Sequence, residues 1–495
     1  MTKWSSCTAT LLRICPLLLV IMASPALAQQ PGPGRIAFTN VTLVDGTGAP
    51  SQPGMTVVIH GTRIERVVRS DHISIGGDVR VVDGRGKYLI PGMIDTHAHF
   101  FVWLSPGAGD TAQAAARGAG VYIANGVTTL IDASARGSRD ETTRRARAML
   151  QAGGLPMPRI HLSARVDSLV VNRARAANAT ELARQLLAHD IVGIKIHRGL
   201  NADDLRGIVR EARNAGRPVY GHTYEWTSTG YHDYTHDAIE AGVNGLFHVL
   251  GIAPVHPSRE PAPPPEGAKW EDQWLYGATR WLHADSTSVD SLIRQMLVHR
   301  TWLQPTLVAE ELTADVQSYW TDPAWRYAPP EQDSSLTGWP RFQGADLDNY
   351  RASYGRMKSF VRRFHEAGGM VVAGTDGIRI PGFGLQDELR LLAQAGLSPM
   401  AALQAATRNA ARAFGLDRDL GTIEPGKLAD VILLDADPLA DIGNTRRILA
   451  VVSNGTYLDR NALDALLAAA ERPIPGAIEH PAASLRRPSD RTTLQ

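Results

Sequence analysis

Residues 93–100 read MIDTHAHF, an apolar run that ends in two histidines one residue apart. On a β-strand alternate side chains share a face, so His97 and His99 point the same way. A metal ion is the obvious reason for a strand end to aim two imidazoles at one point, and the rest of the chain must then supply further ligands. The rhythm on either side bears on this. From Pro91 onward apolar strand-like runs alternate with Ala- and Arg-rich helical stretches: GMIDTHAHF, GVTTLIDAS, PRIHLSARV, VGIKIHRG, RPVYGHTY, VNGLFHVLG, TWLQPTLV and GMVVAGTDG. These eight candidate strands, each followed by a helical stretch, predict an α/β protein with a (β/α)₈ TIM barrel over residues 91–419.

Before Pro91 the chain alternates in short runs punctuated by Gly and Asp, such as IAFTNVTLVDG and MTVVIHGTRIERVV, which read as strands joined by tight turns. The same rhythm returns after Leu420 in LGTIEPGKLADVILLDAD and RILAVVSNGTYLD. Residues 29–90 and 420–471 are therefore expected to form a small β-sandwich built from both termini, followed by a Pro- and Arg-rich tail over 472–495. Residues 254–340 concentrate Pro and Trp and are expected to be an insertion on the barrel. Such a stretch is either a lid over the site or a surface or oligomer contact.

The first 28 residues stand apart. Lys3 and Arg13 precede or flank an apolar run, ICPLLLVIMA, and Ala26-Leu27-Ala28 forms an A-x-A site, with no acidic residue before Asp45. This is the pattern of a signal peptide, with Gln29 as the new start. The run is well short of the roughly 18 apolar residues a spanning helix needs. A secreted or periplasmic mature protein with no stable membrane insertion is expected. Both cysteines, Cys7 and Cys15, lie in the leader, so the mature chain has no thiol to act as nucleophile, metal ligand or disulfide partner. Loss of residues 1–28 removes two positive charges and no negative one, taking the formal charge from +1 to −1. With 51 Lys and Arg against 50 Asp and Glu, no basic excess points to nucleic acid.

Active groups of such barrels sit at the C-terminal ends of the strands. His97 and His99 close the first run, Lys195 lies in the fourth, His222 and His248 close the fifth and sixth, and Asp376 closes the last. Each alone could be a hydrogen-bonded core residue or a helix cap. Together they form a set of N and O ligands in barrel phase, the composition of a catalytic metal site. An ammonium at Lys195, among Ile and Val, is costly unless paired or neutralised. Reaction with CO₂ would make it an anionic carbamate able to bridge two cations; a salt bridge to an acidic neighbour is the other solution.

The segments PGMIDTHAHF, GIKI, GH, FH, GTD, GLSPMAALQAATRNAARAFGL and GTIEPGKLADVILLDADPL together resemble the metal-dependent amidohydrolase superfamily. The last two are most similar to its imidazolonepropionase-like and Xaa-Pro dipeptidase-like branch. The resemblance implies that His97, His99 and Asp376 hold one zinc ion, that His222 and His248 hold a second, and that an N6-carboxylysine at Lys195 bridges them. It further implies hydrolysis of the amide bond of a small molecule, with Asp376 as general base and then acid. Tyr224 and His197 are candidate substrate contacts, and a homo-oligomer is expected. The third strand departs from the pattern: His161 sits inside it, where a Gly-rich turn with its own histidine usually follows. A rival within the superfamily starts from HTYE, where Glu225 follows His222 at the spacing of mononuclear aminohydrolases that deaminate heterocycles with one metal. A non-catalytic relative would be expected to have lost ligands, and none is missing.

Overall fold

The computed structural model describes residues 34–100, 111–135, 145, 147–148, 151–152, 154–167, 177–197, 200–227, 230–265, 267–316, 321–328 and 339–471. The leader at 1–28 and the tail at 472–495 lie outside them. The chain opens with β1 (Arg35–Leu43), β2 (Gln52–His60), β3 (Arg63–Arg69), β4 (Val79–Asp83) and β5 (Tyr88–Pro91). It then runs straight into a second set: β6 (Met93–Ala98), β7 (Val127–Ala135), β8 (Arg159–Val166), β9 (Gly193–Ile196) and β10 (Val219–Gly221). A hairpin, β11 (Tyr224–Thr227) and β12 (Gly230–Asp233), interrupts this set before β13 (Gly245–Phe247) and β14 (Trp302–Gln304). The last strands are β15 (Val431–Leu434), β16 (Ile448–Ser453) and β17 (Thr456–Asp459).

Strands β6, β7, β8, β9, β10, β13 and β14 form one parallel sheet in that order. Helices connect them, as parallel neighbours require. Thr111–Ala124 lies between β6 and β7, and Ala202–Asn214 between β9 and β10. The latter begins at a capping box: Asn201 accepts from the Asp204 amide at 2.9 Å, and Asp204 accepts from the Asn201 amide at 3.2 Å. Strands buried on both faces read as unbroken apolar runs, and all four residues of β9, GIKI, are buried. That leaves Lys195 no route to solvent through the strand.

The sequence pattern predicts an eighth strand in GMVVAGTDG. Only a single parallel bridge, Leu303 to Val371, forms there. The segment nevertheless touches both edges of the sheet. The Val372 amide donates to Leu303 O of β14 at 2.9 Å, and the Thr96 hydroxyl of β6 donates to Ala373 O at 2.7 Å. It fails to extend as a strand because the Ala373 amide bonds Ala405 O at 2.9 Å, at the end of the helix Pro399–Ala405. That amide is then unavailable to a strand ladder.

Both ends of the chain meet in one eight-stranded sheet, ordered β17-β16-β15-β5-β1-β2-β3 with β4 beside β1. The strands from the two ends are continuous in hydrogen bonding, because β5 pairs with β1 on one side and with β15 on the other. The sheet's apolar faces share one core that includes Phe38, Val57, Leu89, Val431 and Val452. The stretch 254–340, expected to be an insertion, carries regular elements: the helices Trp270–His283, Ser286–His299 and Leu307–Ala314, and β14. Among the described residues no helix is long and apolar enough to cross a membrane.

The two sheets are joined by an ion pair. Arg159, at the start of β8, donates to both oxygens of Asp430 at 2.9 and 3.3 Å, just before β15. The Asn454 amide adds a third bond at 3.1 Å. Asp430 is buried, which raises its pKa, while Arg159 opposes the rise. Removing one partner of a buried pair strands the other. Arg159→Ala is expected to destabilise the fold by about 3 kcal/mol, read as a lower midpoint in chemical denaturation. An unchanged midpoint would show that the pair does not hold the sheets together.

Candidate metal centre

The ligand-type residues named from the sequence converge at the C-terminal ends of the parallel strands. His97 Nε2 and His99 Nε2 lie 2.8 and 2.7 Å from the same Asp376 oxygen, Oδ1. His248 Nε2 lies 3.5 Å from Oδ2. Lys195 Nζ is 2.6 Å from His97 Nε2. The His222 ring centroid is 4.5 Å from that of His248. Two groups, His97 with His222 and His248, and His97 with His99 and Asp376, each bring one ligand atom per residue within 4.8 Å of the others.

Local structure explains this aim. Asp95 accepts from the amide of His97 at 3.1 Å, from the amide of Thr375 at 3.2 Å, and from the Thr375 hydroxyl at 2.8 Å. It thereby ties the first ligand strand to the loop that carries Asp376. Gly374 is required beside it, since a Cβ there would lie 2.6 Å from Gln304 Nε2 and 2.9 Å from His97 Cβ. Before His222, Gly221 has φ +143°, and a Cβ would meet Ile196 O at 2.1 Å. Tyr234 donates to the carbonyls of His197 at 2.6 Å and His222 at 3.2 Å, fixing two strand ends at once.

Gln304, buried at the end of β14, sets the His97 tautomer. Its Nε2 donates to the Thr306 hydroxyl at 2.9 Å, which turns Oε1 toward His97 Nδ1 at 3.2 Å. The His97 hydrogen then sits on Nδ1, and the Nε2 lone pair faces Asp376 and Lys195.

Burial dominates the electrostatics. Desolvation holds the pKa of His97 and His222 well below the ordinary histidine value, and that of His248 at about 4. All three imidazoles are neutral, the form that ligates metal. Burial also lowers Lys195 to about 8, against the pull of Asp376. For Asp376 burial disfavours the anion. The surrounding His97, His99 and His248 imidazoles outweigh it and hold the carboxyl well below its usual range. Among the described residues, His222 Nε2 and His248 Nδ1 are buried with no hydrogen-bond partner. Such atoms are costly to bury unless something binds them. Neutral imidazoles and a carboxylate form a donor set that fits zinc or a similar divalent ion.

His99, Lys195, His222, His248 and Asp376 line a cavity of about 460 Å³. His197 and Tyr224, the expected substrate contacts, line it as well. Tyr224 stacks on His222, with centroids 5.8 Å apart and planes at 7°. The Glu225 backbone lies in β11, but its side chain lies outside the described residues. His161 does not line the cavity; burial in β8 takes its pKa down to about 4. Arg165 does line it, and sequence reasoning passed over this residue. It donates to Asp167 at 2.7 Å and to His197 Nδ1 at 2.9 Å. Its position at the end of PRIHLSARV, one of the barrel runs, was the available signal. Gln304 stands at the end of TWLQ in the same way.

The sequence pattern of the amidohydrolase family matches residues 88–458. The chain belongs to the amidohydrolase family. Membership carries metal-dependent hydrolysis of an amide C–N bond. The chain is 26% identical over 440 residues to an imidazolonepropionase of Symbiobacterium thermophilum, covering 84% of this chain and 90% of that protein. It is 42% identical to an adenine deaminase of Rhizobium meliloti, but over only 77 residues, 16% of this chain and 12% of that one. A solved Xaa-Pro dipeptidase with methionine in its active site shares the fold, with TM-score 0.60 and 20% identity over 86% of this chain and all of that one.

The depressed histidines give the metal-free protein a pH dependence. The unfolded chain binds protons near pH 6.5 that the folded site refuses until about pH 4 at His248. This part of the stability is complete above about pH 6.5 and is lost as pH falls toward 4. Denaturant titrations of the metal-free protein across that window are expected to show the loss, and His248→Leu to flatten it. An equal slope in both proteins would remove His248 from the effect.

Proposed function

We propose that this amidohydrolase is a binuclear zinc enzyme that cuts the amide bond of a small substrate, such as a dipeptide, an N-acyl amino acid or a cyclic amide. The observation that carries this reading is the pair of ligand groups that share His97 around one carboxylate. His97, His99 and Asp376 would hold one ion, and His222 and His248 the other, with Lys195 between them as N6-carboxylysine. Bound zinc supplies Lewis acidity, lowering the pKa of water and polarising a carbonyl. As an ammonium, Lys195 would add positive charge to a site built for cations. A carbamate reverses that sign and adds two acceptor oxygens, which resolves the conflict.

The chain's own residues then do the following. Asp376, ionised and facing three imidazoles, takes the proton of the attacking water and passes it to the leaving nitrogen. Gln304 and Asp95 keep His97 and Asp376 in register. Tyr224 and His197 border the cavity where substrate sits, and the Arg165 guanidinium holds His197 with its Nδ1 accepting. The His197 hydrogen is thereby placed on Nε2, making it a donor to the substrate. The same proposal includes a closed (β/α)₈ barrel with segment 370–374 as its eighth stave, and a small sandwich unit made from the terminal sheet. It also includes export after cleavage behind Ala28, and self-association.

Two variants test the assignments. Asp376→Asn is expected to keep its metal but lose about 10³-fold in kcat. Turnover equal to the wild type would remove Asp376 as the proton carrier. Lys195→Ala is expected to fall in zinc content by elemental analysis, with activity partly restored by acetate or formate. A fully loaded Lys195→Ala protein would end the bridging assignment.

A further inference from the structure

Besides the ligands, the cavity is lined by a group of indoles. Trp270, Trp274 and Trp339 all line it, together with Ile378. They pack edge to face: Trp270 to Trp274 at 4.8 Å, Trp270 to Trp339 at 5.9 Å, and Trp274 to Trp339 at 5.3 Å between centroids. Two of their N–H groups are used behind the wall. Trp274 donates to the Tyr350 hydroxyl at 3.0 Å, and Trp339 to the Thr313 hydroxyl at 2.9 Å. Those two rings offer the cavity carbon surface and no donor. They are also held in place, so little ordering is needed when a ligand arrives.

The wall is fixed relative to the ligands. On the helix that carries Trp270 and Trp274, Trp281 donates to the carbonyls of Val249 and Leu250, both at 3.1 Å, directly after His248. Trp339 packs in one apolar cluster with Ile378, two residues beyond Asp376. Trp270 keeps 42% of its surface exposed and is the one aromatic among the exposed large apolar side chains of the described residues. A half-open indole joined to two inner ones forms a continuous apolar path from solvent toward the ligands. Large apolar surfaces left open in this way mark binding sites.

We propose that Trp270, Trp274 and Trp339 form an aromatic subsite that receives an aryl or similarly broad apolar substituent of the amide substrate. The word substrate here rests on the amide-hydrolase reading above; the subsite itself does not. Flat rings meet indoles edge to face or offset, and an aliphatic stub of one or two carbons leaves the wall partly wet.

The test has a catalytic and a binding arm on the metal-loaded protein. In the first, kcat/KM is compared for paired amides of one amine that carry phenylacetyl or acetyl groups. In the second, calorimetry compares phenylacetate with acetate. Phenylacetyl compounds are expected to be preferred at least tenfold in both arms, mostly through KM in the first. Trp270→Ala and Trp339→Leu are each expected to cut the preference about tenfold, and Trp270→Phe to retain most of it. Phenylacetate binding no tighter than acetate, or a preference untouched by both Trp variants, overturns the subsite. Preferential binding without turnover of any amide leaves the subsite standing and strikes the hydrolase reading instead.

Discussion

A single carboxylate oxygen, Asp376 Oδ1, is approached by two imidazole nitrogens at 2.8 and 2.7 Å, and one of these also lies 2.6 Å from a lysine amine. In water these groups would be separately hydrated. Here they are drawn together where desolvation keeps His97 neutral and opposes the charge on both Lys195 and Asp376. Such a cluster is costly to bury until its unmet lone pairs find a cation. Much of the architecture serves to hold it. Seven parallel strands bring ligands far apart in sequence to one rim, and Asp95, Gln304 and Tyr234 lock their orientations.

The backbone carries part of the cost. His248 and Asp376 adopt φ of +61° and +57°, and Thr306, which anchors Gln304, has φ +53°. Side-chain-bearing residues there store about 1–3 kcal/mol each. Of the six non-glycine residues with positive φ among the described residues, two are ligand positions and a third supports a ligand. A strand continued past Phe247 would send the His248 side chain to the opposite face. A left-handed turn instead delivers it inward.

The ligands were legible because each closes an apolar run, and a run's period survives in a single sequence. MIDTHAHF, GIKI, GH, FH and GTD each gave a residue that the structure brings into the cluster. The eighth strand was legible as a pattern but not as hydrogen bonding. Whether the Ala373 amide bonds a neighbouring strand or the Ala405 carbonyl is decided by a helix that follows later in the chain. Gln304 and Arg165 also close apolar runs, yet neither is a usual ligand type, so a search for metal donors passes over them. The Trp-rich stretch stood out in composition. Its role as a cavity wall depends on contacts such as Trp274 with Tyr350, 76 residues on, which no local pattern encodes.

The terminal sheet has a consequence for how the protein is made. Strand β5 leads directly into the first ligand strand, and its outer edge is matched by β15. On the ribosome the leading strands emerge early, while their partners wait until nearly all of the catalytic body has been synthesised. For that interval a row of backbone amides and carbonyls stays open to any passing strand. The nascent chain therefore has to bridge this gap by holding the edge unsatisfied or shielded, and the final strands act as the clasp that completes the molecule.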